Sequence, residues 1–130
     1  MLRLVKILFF LAFVFFILSL FPSSINWAED FLDRFSDKSW AGSGYYQLAN
    51  HCYRTLRFAR ALELYEKALS KYPDHPMAPL AQFRKAVCLE KIKRYREAIS
   101  AYREFIRKYP DHPLSAQAKN SLRKLEELQR

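Results

Sequence analysis

One six-residue segment occurs twice in this sequence, and the duplication constrains the fold more than any other feature. KYPDHP occupies residues 71–76 and again residues 108–113, 37 positions later. Before the first copy, Ala61 precedes Tyr65 by four positions, and the same small-to-aromatic spacing recurs before the second. A small residue one helical turn from a ring lets a neighbouring helix approach closely, whereas a strand would alternate its side chains. The spacing therefore predicts an all-α chain of stacked helix pairs.

The same periodicity predicts the helices of these pairs. We expect them at about 43–56, 59–71, 78–92, 95–108 and 114–128. Prolines in each KYPDHP stop the preceding helix, and Pro79 and Pro113 suit the start of the next one. The expected domain at 43–130 then holds two and a half repeats: residues 43–76, residues 77–113 and a capping helix at 114–130.

These positions resemble the tetratricopeptide repeat. In the first copy its small and large positions are met by Tyr45, Leu48, Ala49, Ala61, Tyr65, Ala68 and Pro73. The second copy retains Ala86, Tyr95, Ala98, Tyr102 and Pro110. Phe105 departs from the family, which usually has alanine there. The phrase REFIRKYPDHP is similar to the exported branch, which includes outer-membrane barrel-assembly lipoproteins and the Tol-Pal coordinator of Gram-negative bacteria. The resemblance implies a short helical solenoid that binds a protein or peptide.

The amino end is of a different kind. Residues 4–21 are apolar apart from Lys6 and Ser19, and about 18 helical residues reach roughly 27 Å, close to a thin bilayer core. Arg3 and Lys6 lie at its start and an acidic segment at 29–33 follows, which puts the amino end in the cytoplasm. We expect residues 1–21 to be a transmembrane signal anchor in the inner membrane, with the domain behind it periplasmic. The open alternative is a cleaved signal that releases the chain to the periplasm.

Residues 22–42 are predicted to form a juxtamembrane segment and linker. Trp27, Phe31 and Phe35 fall four residues apart with polar residues between them, which predicts a short amphipathic helix. That helix could lie at the membrane interface or cap the repeats. Since solenoids usually need about three repeats to bury a continuous core, it or a second copy of the chain could complete this one.

Two surfaces of the repeats are candidates for binding. In the resembled family the first helix of each pair lines an inner groove, which selects Tyr46, Asn50, Tyr53, Arg54, Phe83, Val87, Lys91, Asn120 and Lys124. Aromatic rings beside cationic and amide groups suit a peptide or a partner helix, with Tyr46 and Phe83 as exposed anchors.

Positive charge defines the second candidate surface. The region 43–130 has eighteen basic and nine acidic residues, a net charge of +9. Stacking would align the basic residues around the two turns inside the repeats along one edge for an anionic partner, and the alternative is a merely solvated face. No aromatic base-stacking pattern accompanies them, which favours the solvated face. Nucleic acid is not expected as a partner, because export would place this surface away from it. The predicted basic edge consists of Arg57, Arg60, Lys93, Arg94 and Arg96.

Signatures of catalysis and of cofactor or metal binding are not found in the sequence. His75 and His112 each precede a proline in equivalent loops, where turn chemistry explains them without a metal. Cys52 and Cys88 fall in consecutive first helices and are expected as buried thiols. We therefore expect a membrane-tethered interaction scaffold of the bacterial cell envelope that is not an enzyme. The alternative is a structural oligomerisation unit without a separate recognition surface.

Overall fold

The structure is a computed structural model, and it describes residues 1–20 and 23–130. Those residues form seven helices and no strand. The helices are α1 Leu2–Leu20, α2 Ser23–Arg34, α3 Ala41–Arg54, α4 Phe58–Lys71, α5 Ala78–Lys91, α6 Tyr95–Lys108 and α7 Ser115–Leu128. The five helices α3 to α7 begin and end within two residues of the predicted limits. The all-α prediction is confirmed.

The chain divides into two compact units, Met1–Ser36 and Asp37–Arg130. In the first unit, α1 exposes many large apolar side chains, among them Phe9, Phe10, Phe13 and Phe16. Over the part of the chain that the structure describes, the helices fall short of the length and apolarity that a membrane crossing requires. The predicted transmembrane anchor is therefore not confirmed, and its last residue, Phe21, together with Pro22 lies outside the described residues.

The second unit repeats itself with a period of 37 residues. The second helix pair begins at Ala78 and Tyr95, each 37 residues after its counterpart in the first pair, and α7 begins at Ser115, a further period after Ala78. Consecutive helices pack against one another from α3 to α7, and α3 also contacts α5. The limits of the repeats at 43–76, 77–113 and 114–130 stay a prediction.

The KYPDHP segments link one helix pair to the next. Each segment has a tyrosine before its first proline, and the backbone leaves the helical region at that tyrosine. Tyr72 has φ −133° and ψ 61°, and Tyr109 has φ −130° and ψ 59°. In the first segment, the His75 backbone N–H donates to the Tyr72 carbonyl at 3.2 Å, and His75 Nδ1 accepts from the Met77 N–H at 3.1 Å. His112 makes the equivalent bonds. The turn interpretation of both histidines is confirmed.

The turn inside each pair is a Schellman motif. In the first pair the Arg57 N–H donates to the Cys52 carbonyl at 2.9 Å, and the Leu56 N–H donates to the Tyr53 carbonyl at 3.1 Å. The motif places one residue in the left-handed region, where glycine is usual. Here those residues are Leu56, with φ 60°, and Lys93, with φ 65°. Both turns therefore hold a side chain in a strained conformation.

Relief of this strain should stabilise the repeat unit. Leu56→Gly is expected to raise the free energy of unfolding by about 1 kcal/mol, because glycine has no Cβ to clash at positive φ. The Leu56 side chain is exposed, so little packing is lost. Leu56→Ala is the matched control, since it keeps the Cβ and should give no such gain. Urea denaturation of the three chains measures the difference, and an equal gain for alanine would contradict the strain argument.

Small and aromatic side chains interlock in the core of the repeats. Among the fully buried residues are Ala49, Ala61, Tyr65, Ala86, Ala98, Phe105 and Ala118. The alanines permit close helix contacts, and the rings fill the remaining space. The predicted roles of Ala61, Tyr65, Ala98 and Tyr102 as packing residues are confirmed.

Candidate protein-interaction surface

Two predicted groove anchors belong to the core. Tyr46 is fully buried, and its ring stacks on His75 with a centroid distance of 4.8 Å. Its hydroxyl donates to the Tyr72 carbonyl at 2.8 Å and to the Ala68 carbonyl at 3.3 Å, which ties α3 to the end of α4. Burial raises the pKa of the Tyr46 hydroxyl to about 12. The prediction of Tyr46 as an exposed anchor is wrong.

Phe83 is likewise only 6 % exposed. Its ring lies edge-on to Tyr102 and Phe105, with centroid distances of 6.0 Å and 5.6 Å. The predicted exposure of Phe83 is therefore also wrong. The physical reason is that Phe105, large where Ala68 stands in the first pair, closes over the ring from α6.

Four other side chains form a polar and aromatic cluster between α3, α4 and α5, which we call the Arg84 cluster: Asn50, Tyr53, Tyr65 and Arg84. Asn50 Oδ1 accepts from the Tyr65 hydroxyl and from an Arg84 guanidinium nitrogen, each at 2.6 Å. The guanidinium lies 4.9 Å from the centre of the Tyr53 ring. Burial raises the pKa values of the Tyr53 and Tyr65 hydroxyls, which stay neutral donors at physiological pH. The structure thus brings together Asn50 and Tyr53 from the predicted groove.

Sequence reasoning did not select Arg84 as a groove residue. It follows Asn50 by 34 positions, one repeat period minus nearly one helical turn. Since α3 and α5 contact each other and repeat at 37 residues, that offset brings the two side chains within reach. The period itself was therefore the signal that could have found Arg84.

The other predicted groove residues are not part of the Arg84 cluster. Val87 is half-buried, and Arg54, Lys91, Asn120 and Lys124 are exposed. Asn120 Oδ1 accepts from Arg123 at 3.3 Å. On α5, Glu90 accepts from the Tyr102 hydroxyl at 2.7 Å, and burial raises the pKa of that hydroxyl. The hydrogen bonds of Asn120 and Glu90 join these residues to Arg123 and Tyr102 rather than to the Arg84 cluster, and the charges here are of both signs.

The profile of the tetratricopeptide repeat family matches residues 46–113, more than half of the chain. This chain belongs to the tetratricopeptide repeat family. Such repeats generally mediate protein–protein interaction and generally act as non-catalytic scaffolds. A comparison with curated proteins gives no significant match.

The basic edge of these tetratricopeptide repeats is partly neutralised. Arg60 pairs with Glu63 at 2.6 Å, and Arg94 forms an ion pair with Glu97. The hydrogen bond to Arg94 lowers the pKa of the Glu97 carboxyl, which keeps this exposed pair charged. Arg57 is half-buried, while Lys93 and Arg96 are exposed. Two of the five predicted cations therefore carry their own counter-ions.

Both cysteines of the tetratricopeptide repeats lie in their first helices. Cys52 and Cys88 are buried thiols, as predicted. Burial raises the pKa of the Cys88 thiol to about 12. Across the part of the chain that the structure describes, clusters of three or more His, Cys, Asp or Glu residues able to hold a metal ion are not found.

The buried thiols should resist alkylation. At pH 8 the Cys88 thiolate is scarce, so N-ethylmaleimide is expected to modify the native chain about 1,000-fold more slowly than the urea-unfolded chain. Ala59→Cys, at an exposed position of α4, is the positive control and should react at once in the native state. Mass spectrometry over time reads the modification. Rapid native labelling of Cys88 would contradict its burial.

Proposed function

We propose that the protein is an interaction scaffold that binds a polypeptide across α3 and α5, at the Arg84 cluster. Arg84 supports this proposal best. The residue is half-buried, and its guanidinium is held by Asn50 and stacked over Tyr53, so it is preorganised for a carbonyl or carboxylate of the partner. A fixed cation over an aromatic ring is typical of the few side chains that dominate a binding surface.

Peptide selection tests this function without knowledge of the natural partner. A library of random peptides is panned against the full chain, and the selected peptides are measured by isothermal titration calorimetry. Arg84→Gln is expected to weaken them at least tenfold, because the fixed guanidinium is lost. Arg103→Gln is the matched control, since Arg103 is exposed on α6 and pairs with Glu126. Equal binding by wild type and Arg84→Gln would overturn the proposal.

The basic edge offers a competing surface that the same peptides can test. Arg57, Lys93 and Arg96 would attract an acidic partner through long-range charge, so their contribution should fall steeply with salt. Contacts at the Arg84 cluster are half-buried, so their contribution to affinity should depend less on salt concentration. Selected peptides that lose affinity on Arg57→Glu with Arg96→Glu, and keep it on Arg84→Gln, would move the binding site to the edge.

We also propose that residues 4–21 attach the scaffold to the bacterial inner membrane, with the repeats in the periplasm. The apolar side chains exposed along α1 support attachment, and the basic start followed by acidic residues supports that orientation. A reporter active only outside the cytoplasm, fused after Arg130, should be active and stay in the membrane fraction after a carbonate wash. Release as a shortened chain would support a cleaved signal, and an inactive reporter would overturn periplasmic placement.

A further inference from the structure

A cavity of about 340 Å³ lies between α4, α5 and α6. Gln82 and Lys85 line it from α5, Glu66 and Leu69 from α4, and Glu104 and Lys108 from α6. Gln82 and Arg84 are two positions apart on one helix, which turns their side chains about 200° from each other. The cavity is therefore a different site from the Arg84 cluster.

Gln82 is the residue of this cavity that points to a ligand. It is only 7 % exposed, yet its amide has no hydrogen-bond partner among the residues that the structure describes. In that same part of the chain, every fully enclosed side-chain nitrogen or oxygen has a partner. The Gln82 amide thus keeps its accessible surface toward the cavity that it lines. An accessible amide without a partner in the chain can donate to and accept from a bound polar group.

The first helix pair shows what fits this position. Tyr45 precedes Gln82 by one period of 37 residues and is fully buried. Lys71 lies over its ring, with Nζ 5.1 Å from the ring centre, and donates to its hydroxyl at 3.3 Å. Lys67 Nζ lies 5.5 Å from the same centre, and the Tyr72 ring packs against it at 5.9 Å. In the first pair, the position that corresponds to Gln82 thus holds a phenol ring, with two ammonium groups and a second ring packed around it.

The second pair keeps the lysine at the end of its second helix beside this position and has glutamine in place of the ring. One period later, Lys108 replaces Lys71, Glu104 replaces Lys67 and Tyr109 replaces Tyr72. The glutamine side chain is shorter than a tyrosine, and an open cavity remains beside it. We propose that this cavity binds the phenol ring of a tyrosine side chain in a partner polypeptide, in the place that the Tyr45 ring takes in the first pair.

The lining groups suit each part of such a ligand. Lys108, whose Nζ lies 5.5 Å from the centre of the Tyr109 ring, also lines the cavity and can supply a cation for the face of a bound ring, as Lys71 does for Tyr45. Glu104 is an acceptor for the phenolic hydroxyl, and Leu69 gives an apolar contact. The Gln82 amide can pair with a peptide group, since both carry one donor and one acceptor face. At the side of the cavity, Lys85 and Glu66 neutralise each other, with 3.5 Å between Nζ and Oε1.

The probe is the peptide acetyl-Gly-(3-fluorotyrosyl)-Gly-amide, titrated with the full chain in lipid nanodiscs and observed by fluorine NMR. We expect saturable binding to the wild type and at least tenfold weaker binding to Gln82→Tyr, which fills the cavity with the chain's own ring. Gln47→Tyr makes the same substitution at an exposed position of α3 and should bind within twofold of wild type. Binding that falls with Arg84→Gln and not with Gln82→Tyr would place the peptide at the Arg84 cluster and overturn the proposal.

Two further measurements make the result specific. The matching 4-fluorophenylalanine peptide should bind at least threefold more weakly because it lacks the hydroxyl, and Lys108→Ala should weaken the tyrosine peptide at least threefold. Gln82→Tyr should melt at or above the wild-type temperature, since the first pair already holds tyrosine at this position. If that variant does not fold, Lys108→Ala decides. Absence of saturable binding to the wild type, or unchanged binding by Gln82→Tyr or Lys108→Ala, would overturn the proposal.

Discussion

Ala61→Arg is expected to unfold the repeat unit. Ala61 is fully buried on α4, where a small side chain lets the neighbouring helix approach. An arginine there either leaves a charge without a counter-ion in the core or forces the helices apart. The expected cost is more than about 5 kcal/mol, comparable with the whole stability of a small domain. Ala98→Arg, one period later and also fully buried, should behave in the same way.

Ala59→Arg is the matched control for this experiment. It places the same side chain on the same helix, two positions earlier, where the residue is exposed. Circular dichroism and amide hydrogen exchange over α3 to α7 measure the outcome. The control should keep native helicity and protection, and Ala61→Arg should lose both. Native protection in Ala61→Arg would contradict the packing of the repeats.

Tyr46→Ala and Phe83→Ala are expected to destabilise the repeats by about 3–5 kcal/mol each. Both rings are buried, so truncation leaves a cavity and removes ring contacts with His75 or with Tyr102 and Phe105. As exposed groove anchors, the same residues would lose affinity for a partner with little change in stability. Urea denaturation of the full chain therefore separates a core role from a surface role.

Tyr46→Phe refines the test, because it keeps the ring and removes only the hydroxyl. It should cost about 1 kcal/mol, the usual net value of a hydrogen bond to a backbone carbonyl. Above pH 10, the free energy of unfolding of Tyr46→Phe should also fall less with pH than that of the wild type. Burial raises the native Tyr46 pKa to about 12, so the unfolded state releases this proton first as pH rises, and the stabilisation is lost between about pH 10 and pH 12. An unchanged alkaline slope would contradict the buried hydroxyl.

The places where sequence reasoning failed share one cause. Tyr46 and Phe83 occupy the same position of successive repeats, and a general rule for inner helices assigned both to a groove. Tyr46 is instead buried because its hydroxyl reaches two carbonyls at the end of α4, whereas Phe83 is buried because Phe105 covers it. Neither partner is near in sequence, so only packing between helices revealed them.

The sequence by itself determined the helices and their order. Proline fixes where α4 and α6 end, the histidines close the following turns through backbone bonds, and the small and aromatic spacing selects the packed faces. All of these are local effects that act within a few residues. The tertiary structure alone decided which groups remain accessible, namely the half-buried Arg84 cluster and the cavity at Gln82. Accessibility depends on which side chain each repeat carries at equivalent positions. Phe105 stands where the first pair has Ala68 and contacts the buried Phe83, and Gln82 stands beside the cavity where the first pair has Tyr45.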